Sequence, residues 1–395
     1  MSSPALKEQA PAGAAQSWAG VRIFVLIDAL GWSYLENREF LDDLLPHRQP
    51  LRTVLGFSSG AIPSILTGLT PAQNGHWNLF YLDPENSPFR WLRYFQFLPD
   101  FLLDTRVTRK LLKEMGRRLL GLGPLFECSV SPRLLPWFNY VEKRNIYAAG
   151  GITGAPSIFD QMSAEGKPYH AYSYHRFTDA QALEQARRDL RQWGNGFYFL
   201  YLSEMDSLLH HHCMDPRKID EKLGFYADEL RKLFALARAI DPEASFTLFS
   251  DHGMTPVHAR FDLLTPIEAL GFSMPRDYLA VYDSTMARFW FFNDRARRAI
   301  SMVLEESRCG RILADAELRS MGIYFDDARY GQLIYLLHPG WLLARSDFNG
   351  TGWNPTGMHG YHPDDPYSDG IFLSNASAPV DVRCISDVYH CMRAC

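Results

Sequence analysis

The sequence predicts an α/β sandwich built round a largely parallel sheet, and three observations carry that expectation. Four short, β-rich apolar runs, Val21 to Trp32, Leu51 to Gly60, Gly196 to Asp206 and Ser245 to Met254, are each too short for a helix and read as buried strands. Helical patterns separate later runs, over Asp179 to Trp193 and Pro216 to Ile240; the second opens with Pro, whose missing N–H is harmless there. Strands alternating with helices give a parallel sheet covered on both faces. Each run also ends abruptly in polar residues, at the carboxyl edge where such sheets gather ligands.

The composition agrees. Apolar residues make up 47% of the 395 and charged residues 22%, which is the balance of a chain with a large buried core and excludes a disordered or fibrous protein. Lys and Arg number 40 against 45 Asp and Glu, so the net charge of −5 provides no overall basic field to draw the chain to a nucleic-acid polymer. No stretch comes near the roughly 20 apolar residues of a membrane-spanning helix. Residues 1–20, rich in Ala, Ser, Pro and Gly, read as a flexible tail without the apolar centre of a secretory signal. Six scattered cysteines then point to reduced thiols and a cytoplasmic location. The C-terminal trio Cys384, Cys391 and Cys395 matches no usual metal spacing.

Residues 21–395 are expected to form one domain carrying two cap insertions, near 85–145 and 278–347. In the first, residues 89–125 are aromatic, leucine-rich and locally basic. Basic amphipathic helices of this kind contact lipid surfaces, but a cap packed on the core has the same composition, and packing is the favoured expectation. The second insertion carries its own strand and helix signals in ARFWFFND, RARRAISMVLEES and GQLIYLLHPG.

The strand ends hold the chemistry. Asp28 closes the first run. Asp206 and His210 follow the third, and on a helical turn their four-residue spacing puts both on one face. Asp251 and His252 close the fourth; neighbours on a regular strand point apart, so a shared ligand requires a turn, which Gly253 is expected to permit. His359 comes late, between Gly357 and Gly360. A single Asp in such a place is usually a helix cap, but here every carboxylate falls at one edge of the predicted sheet. Three Asp and three His without Cys suit Zn²⁺, with Mn²⁺ the alternative. The second run ends in Phe57-Ser58-Ser59-Gly60-Ala61, where a hydroxyl at a strand-to-helix turn is exposed and helix N–H groups can bind a phosphate oxygen. Metal coordination turns such a hydroxyl into a nucleophile at neutral pH. His211, His212, His362 and Asp364 lie close enough in sequence to act as hydrogen-bonded outer partners, although solvated surface is the favoured reading.

In their order, Asp28, Ser58 with Thr67-Gly68 nine residues on, Asp206-x3-His210, Asp251-His252-Gly253 and His359-Gly360-Tyr361 resemble the alkaline phosphatase superfamily. Within it the chain most resembles the type I phosphodiesterase/nucleotide pyrophosphatase branch, including the stretch Thr67 to Pro84. The resemblance implies a three-layer α/β/α sandwich and two divalent ions, one held by Asp206, His210 and His359, the other by Asp28, Asp251, His252 and Ser58. It selects Ser58 over Ser59 as nucleophile, by the distance to Thr67-Gly68, and a phospho-seryl intermediate. The backbone N–H of Ser59 and the side chain of Asn78 are the expected contacts to a phosphate oxygen. Ser replaces the branch's usual Thr, and the branch's phosphate-contacting Asn aligns with Leu79, one residue after Asn78. Type I sulfatases are set aside because Pro and Arg are missing after Ser58. Phosphoglycerate mutases are set aside because the 147 residues between Ser58 and Asp206 hold no inserted domain of the required kind. The implied function is hydrolysis of a small-molecule phosphodiester or pyrophosphate. The rivals are a phosphomonoesterase, a phospho-group transferase and a non-catalytic metal- or phosphate-binding protein.

Overall fold

A computed structural model of the chain describes residues 18–120, 122, 130–347, 353–378 and 380–394. Its centre is a six-stranded sheet of β1 (Val21–Ile27), β2 (His47–Leu51), β3 (Tyr169–Tyr172), β4 (Gly196–Leu202), β5 (Ser245–Phe249) and, after four strands of a second sheet, β10 (Gly370–Ser374). The order across the sheet is β2-β10-β5-β1-β4-β3. β3, β4, β1 and β5 run parallel, and β10 is antiparallel to both its neighbours.

Alternation along β1 shows why the sheet is covered on both faces. Val21, Ile23, Val25 and Ile27 enter one apolar cluster, whereas Phe24 and Leu26 enter another on the opposite face. The first cluster is completed by α2 (Asp179–Trp193) and α4 (Pro216–Ile240), the second by α1 (Ser58–Thr67). α2 starts at a reciprocal capping box of Thr178 and Gln181, and Asp215 caps α4 just ahead of Pro216. Both helices have the limits expected from the sequence.

The second sheet is antiparallel, with strands β6 (Tyr278–Tyr282), β7 (Met286–Phe291), β8 (Gly310–Ile312) and β9 (Leu333–Leu337) in the order β6-β7-β9-β8. It lies within the second expected insertion. Residues 89–120 pack Phe89, Leu92 and Leu112 against Leu279, Val281 and Trp290 of this sheet.

Two expectations need correction. The run Leu51 to Gly60 is not a strand: β2 stops at Leu51, Gly56 turns the chain with φ +133°, and Ser58 already opens α1. The apolar Leu55 and Phe57 are buried as irregular chain. Trp18, assigned to the tail, is buried instead; it stacks on Phe197 and donates its indole N–H to the carbonyl of Pro168 at 2.6 Å. Residues 1–17 of the tail lie outside the described residues, as do Cys128 and Cys395. Cys391 is buried in an apolar cluster, and the Cys384 thiol contacts the Ser386 hydroxyl and the Asp387 carboxylate.

Candidate active site

Strands β5, β1 and β4 are adjacent, so their carboxyl ends lie within about 10 Å of one another at the usual strand spacing. Asp28 follows β1 directly, Asp251 follows β5 by one residue, and Asp206 sits in the first turn of α3 (Glu204–His212), just after β4. His210 is one turn further along α3. His359 arrives from the far end of the chain, following the short strand Gly357–Met358 that pairs with Thr255–Pro256.

Two clusters result, one of Asp206, His210 and His359, the other of Asp28, Asp251 and His252, each with its donor atoms within 4.8 Å of one another. Asp206 Oδ1 is 3.3 Å from His210 Nε2 and 3.4 Å from His359 Nε2. His252 Nε2 is 3.3 Å from Asp251 Oδ2 and 3.7 Å from Asp28 Oδ1. Two ligands at 2.0 Å from one tetrahedral ion stand about 3.3 Å apart. His252 and His359 stack at 3.9 Å between ring centres, which joins the clusters.

Each carboxylate has a free oxygen aimed into its cluster. Asp251 Oδ1 accepts the N–H groups of Ala29 (3.2 Å) and His252 (3.1 Å), and Asp28 Oδ2 accepts the hydroxyl of Tyr201. Asp28 Oδ1, Asp206 Oδ1 and Asp251 Oδ2 are buried with no hydrogen-bond partner. Buried, unpartnered carboxylate oxygens are costly unless a cation faces them. The imidazoles are oriented to match: His210 Nδ1 lies 2.9 Å from the carbonyl of Gly357 and His252 Nδ1 2.9 Å from that of Gly253, so each donates there and keeps Nε2 as a lone pair for the cluster. These residues fit divalent ions.

The electrostatics are those of buried carboxylates and imidazoles crowded together. Burial, then the charges of Asp251 and Asp206, pushes Asp28 well above the usual carboxylate range. Burial also acts upward on Asp206, but His210, His359 and His252 outweigh it and hold the carboxyl low. His359 is driven well below the ordinary imidazole range by burial and by His252, which favours the neutral, ligating form.

Ser58 faces this centre, its Oγ 3.0 Å from His252 Nε2. Ser58 and Ser59 are the first two residues of α1, where N–H groups have no acceptor within the helix. The hydroxyl of Ser59 turns away, donating to the carbonyl of Trp77 at 2.9 Å. Asn78 is fully buried beside the turn before Ser58, with Nδ2 3.5 Å from Met286 Sδ and Oδ1 unpartnered.

Gly253 acts differently from its expected role. Its φ is not in the left-handed region; a Cβ there would stand 2.1 Å from the carbonyl oxygen of Tyr367 and 2.9 Å from that of Asp369. The turn that brings Asp251 and His252 together is therefore packed against a second chain segment. The other histidines stay out of the centre. His211 is exposed, His212 contacts Lys218, and His362 pairs with Glu317 and Asp364.

The sequence reading missed Tyr201, which holds Asp28, and Thr53, whose hydroxyl donates to the carbonyl of Asp251 at 2.7 Å. A tyrosine one place before the end of a buried strand was the available signal for Tyr201. Nothing local marked Thr53. Also missed was a buried polar and aromatic group beside Tyr201: Tyr147 stacks on it at 5.5 Å and Tyr174 meets it edge-on at 5.4 Å.

A sandwich with these strand-end residues defines a phosphoric ester hydrolase of the alkaline phosphatase superfamily. The profile of the type I phosphodiesterase/nucleotide pyrophosphatase family matches residues 22–362, and the chain belongs to that family, whose members are metal-dependent. Solved structures agree on the fold. The human ectonucleotide pyrophosphatase/phosphodiesterase 5 superposes with a TM-score of 0.65 at 14% identity, over 96% of this chain and 95% of that one. The murine enzyme gives 0.62 at 15%, with coverages of 96% and 95%. An inactive form of the murine enzyme in complex with AMP gives 0.61 at 16%, covering 95% of each. No curated protein sequence matches the chain. Among the described residues no helix is long and apolar enough to cross a membrane.

Proposed function

We propose that the chain hydrolyses small phosphodiesters or nucleotide pyrophosphates by covalent catalysis at Ser58, between two divalent ions. The carrying observation is the position of Ser58 Oγ, 3.0 Å from His252 Nε2 and facing clusters whose three aspartates each keep one unpartnered oxygen. Asp206, His210 and His359 would hold one ion, and Asp28, Asp251 and His252 the other, Zn²⁺ being favoured over Mn²⁺ by the mixed oxygen and imidazole donors. Bound there, the ions would supply Lewis-acid activation of the hydroxyl and neutralise charge on the phosphoryl oxygens.

The chain's own groups do the rest. The Ser58 Oγ–H proton passes to solvent as Oγ attacks phosphorus, and the bond to the leaving oxygen breaks, that oxygen departing with the electron pair. Water then attacks the phospho-seryl group, breaks the P–Oγ bond and restores the hydroxyl. The N–H groups of Ser58 and Ser59, aimed out of the helix start, receive a non-bridging oxygen. Asn78, with spare hydrogen-bonding capacity beside the same turn, is a second contact to that oxygen. The AMP held by the murine relative supports a nucleotide-containing substrate.

No Arg follows Ser58 closely in sequence to clamp a dianionic monoester, which favours diesters. The test is kcat/KM for bis-p-nitrophenyl phosphate against p-nitrophenyl phosphate at neutral pH with Zn²⁺ present. The diester is expected to be the better substrate; a clear preference for the monoester would overturn the ordering.

A further inference from the structure

Large apolar side chains are unevenly placed on the surface. Of the sixteen that are exposed among the described residues, nine fall between Trp91 and Leu119. Tyr94 is 81% exposed, Phe97 79%, Phe101 74% and Leu119 78%. These residues do not belong to a loosely attached strand, because the same segment is anchored from below. Phe89, Leu92 and Leu112 are buried in the cluster that includes Leu279 and Trp290. The helix Arg106–Leu119 buries only Leu112 and Gly116, leaving Val107 and Leu111 in solvent. Exposed apolar side chains concentrated in one anchored segment mark an interaction site.

The charge on this face indicates what it fits. Residues 89–120 carry eight Lys or Arg against three Asp or Glu, a positive surplus of five in a chain whose net charge is −5. Arg90, Arg106 and Lys110 are exposed in the same segment. Exposed rings and basic groups carried by one anchored segment match the boundary between acyl chains and anionic headgroups, where aromatic rings sit at headgroup depth and cations are attracted by the surface potential. A second copy of the face would bring like charges together.

We propose that the exposed face of residues 90–119 seats this protein on the surface of an anionic lipid bilayer. Seating would place the enzyme against phosphate esters at a membrane; the inference does not depend on the assignment of the metal clusters.

The test is co-sedimentation of the full chain with vesicles of phosphatidylcholine alone or mixed with phosphatidylglycerol. Pelleting is expected with the mixed vesicles, weakened when NaCl rises from about 0.1 to about 0.5 M. The triple variant Tyr94→Ser, Phe97→Ser, Phe101→Ser should lose about tenfold or more in vesicle partitioning. The pair Arg106→Glu, Lys110→Glu should lose a similar factor for the anionic vesicles. All five parent side chains in these variants, three aromatic and two basic, are exposed at the surface, and an unchanged circular dichroism spectrum and Tm confirm that the fold is intact. Failure of the wild-type chain to pellet, or equal pelleting of wild type and both variants, overturns the proposal. So does sedimentation equilibrium showing a wild-type dimer that the triple variant abolishes, which would give the face to a second copy.

Discussion

Ser58 and Ser59 are chemically the same residue in two environments, and in the proposed mechanism the environments separate their roles. Ser58 Oγ faces His252 Nε2, whereas the Ser59 hydroxyl is committed to the Trp77 carbonyl. Ser58→Ala is therefore expected to reduce diester turnover by several orders of magnitude while leaving metal content unchanged, since the six Asp and His donors remain. Ser59→Ala keeps the backbone N–H and loses one buried hydrogen bond, a stability cost of about 1 kcal/mol with most activity retained. Turnover and elemental analysis of both variants check this. A dead Ser59→Ala beside an active Ser58→Ala would shift the whole turn by one residue. The choice between them was legible only through the spacing to Thr67-Gly68; the hydroxyl of Ser59 bonds to Trp77, 18 residues away, and no local pattern announces such a contact.

At the scale of elements, the helices were the readable part. α2 and α4 begin at caps built from neighbouring residues, so their limits follow from local sequence. β2 was hidden because it is an edge strand, His-Arg-Gln-Pro-Leu, polar and carrying a Pro that only an edge tolerates. The apolar residues after it looked like a strand because they are buried, although their backbone is irregular. Contacts between distant elements were likewise invisible, as at Gly253. Gly253→Ala forces a Cβ onto the carbonyl of Tyr367 and should cost about 1–3 kcal/mol. It should also displace Asp251 and His252, so Tm and diester turnover are expected to fall together. An unchanged Tm would show that the two segments can part freely.

Glu142, just beyond the strand Phe138–Tyr140, gives an electrostatic test of the packing around Tyr201. Burial raises its carboxyl to about 7 from an ordinary value of 4.5. A folded-state pKa above the unfolded one means that the unfolded chain releases its proton first, so stability declines as pH rises from about 4.5 to about 7. Each unit of the shift corresponds to about 1.4 kcal/mol. In Glu142→Gln that decline is absent, and the Tm advantage of the variant over wild type should grow between pH 5 and pH 8. A constant or shrinking difference over the same range would place the carboxyl in a solvated or ion-paired setting.

For the molecule as a whole, the site was more legible than the architecture around it. Three of its carboxylates stand at the ends of three adjacent central strands, and the polar residue closing an apolar run is a signal that single sequences carry. The antiparallel β10, the separate sheet β6–β9 and the supporting Tyr201 and Thr53 depend on long-range pairing that periodicity does not encode. The proposed function requires the two clusters to act as a paired metal centre in a phosphodiesterase. Stripping the protein with a chelator and titrating Zn²⁺ back, while following hydrolysis of bis-p-nitrophenyl phosphate, tests that claim most directly. Turnover should vanish in the stripped protein and return to a plateau at two equivalents of metal per chain; full turnover in the stripped protein would contradict it.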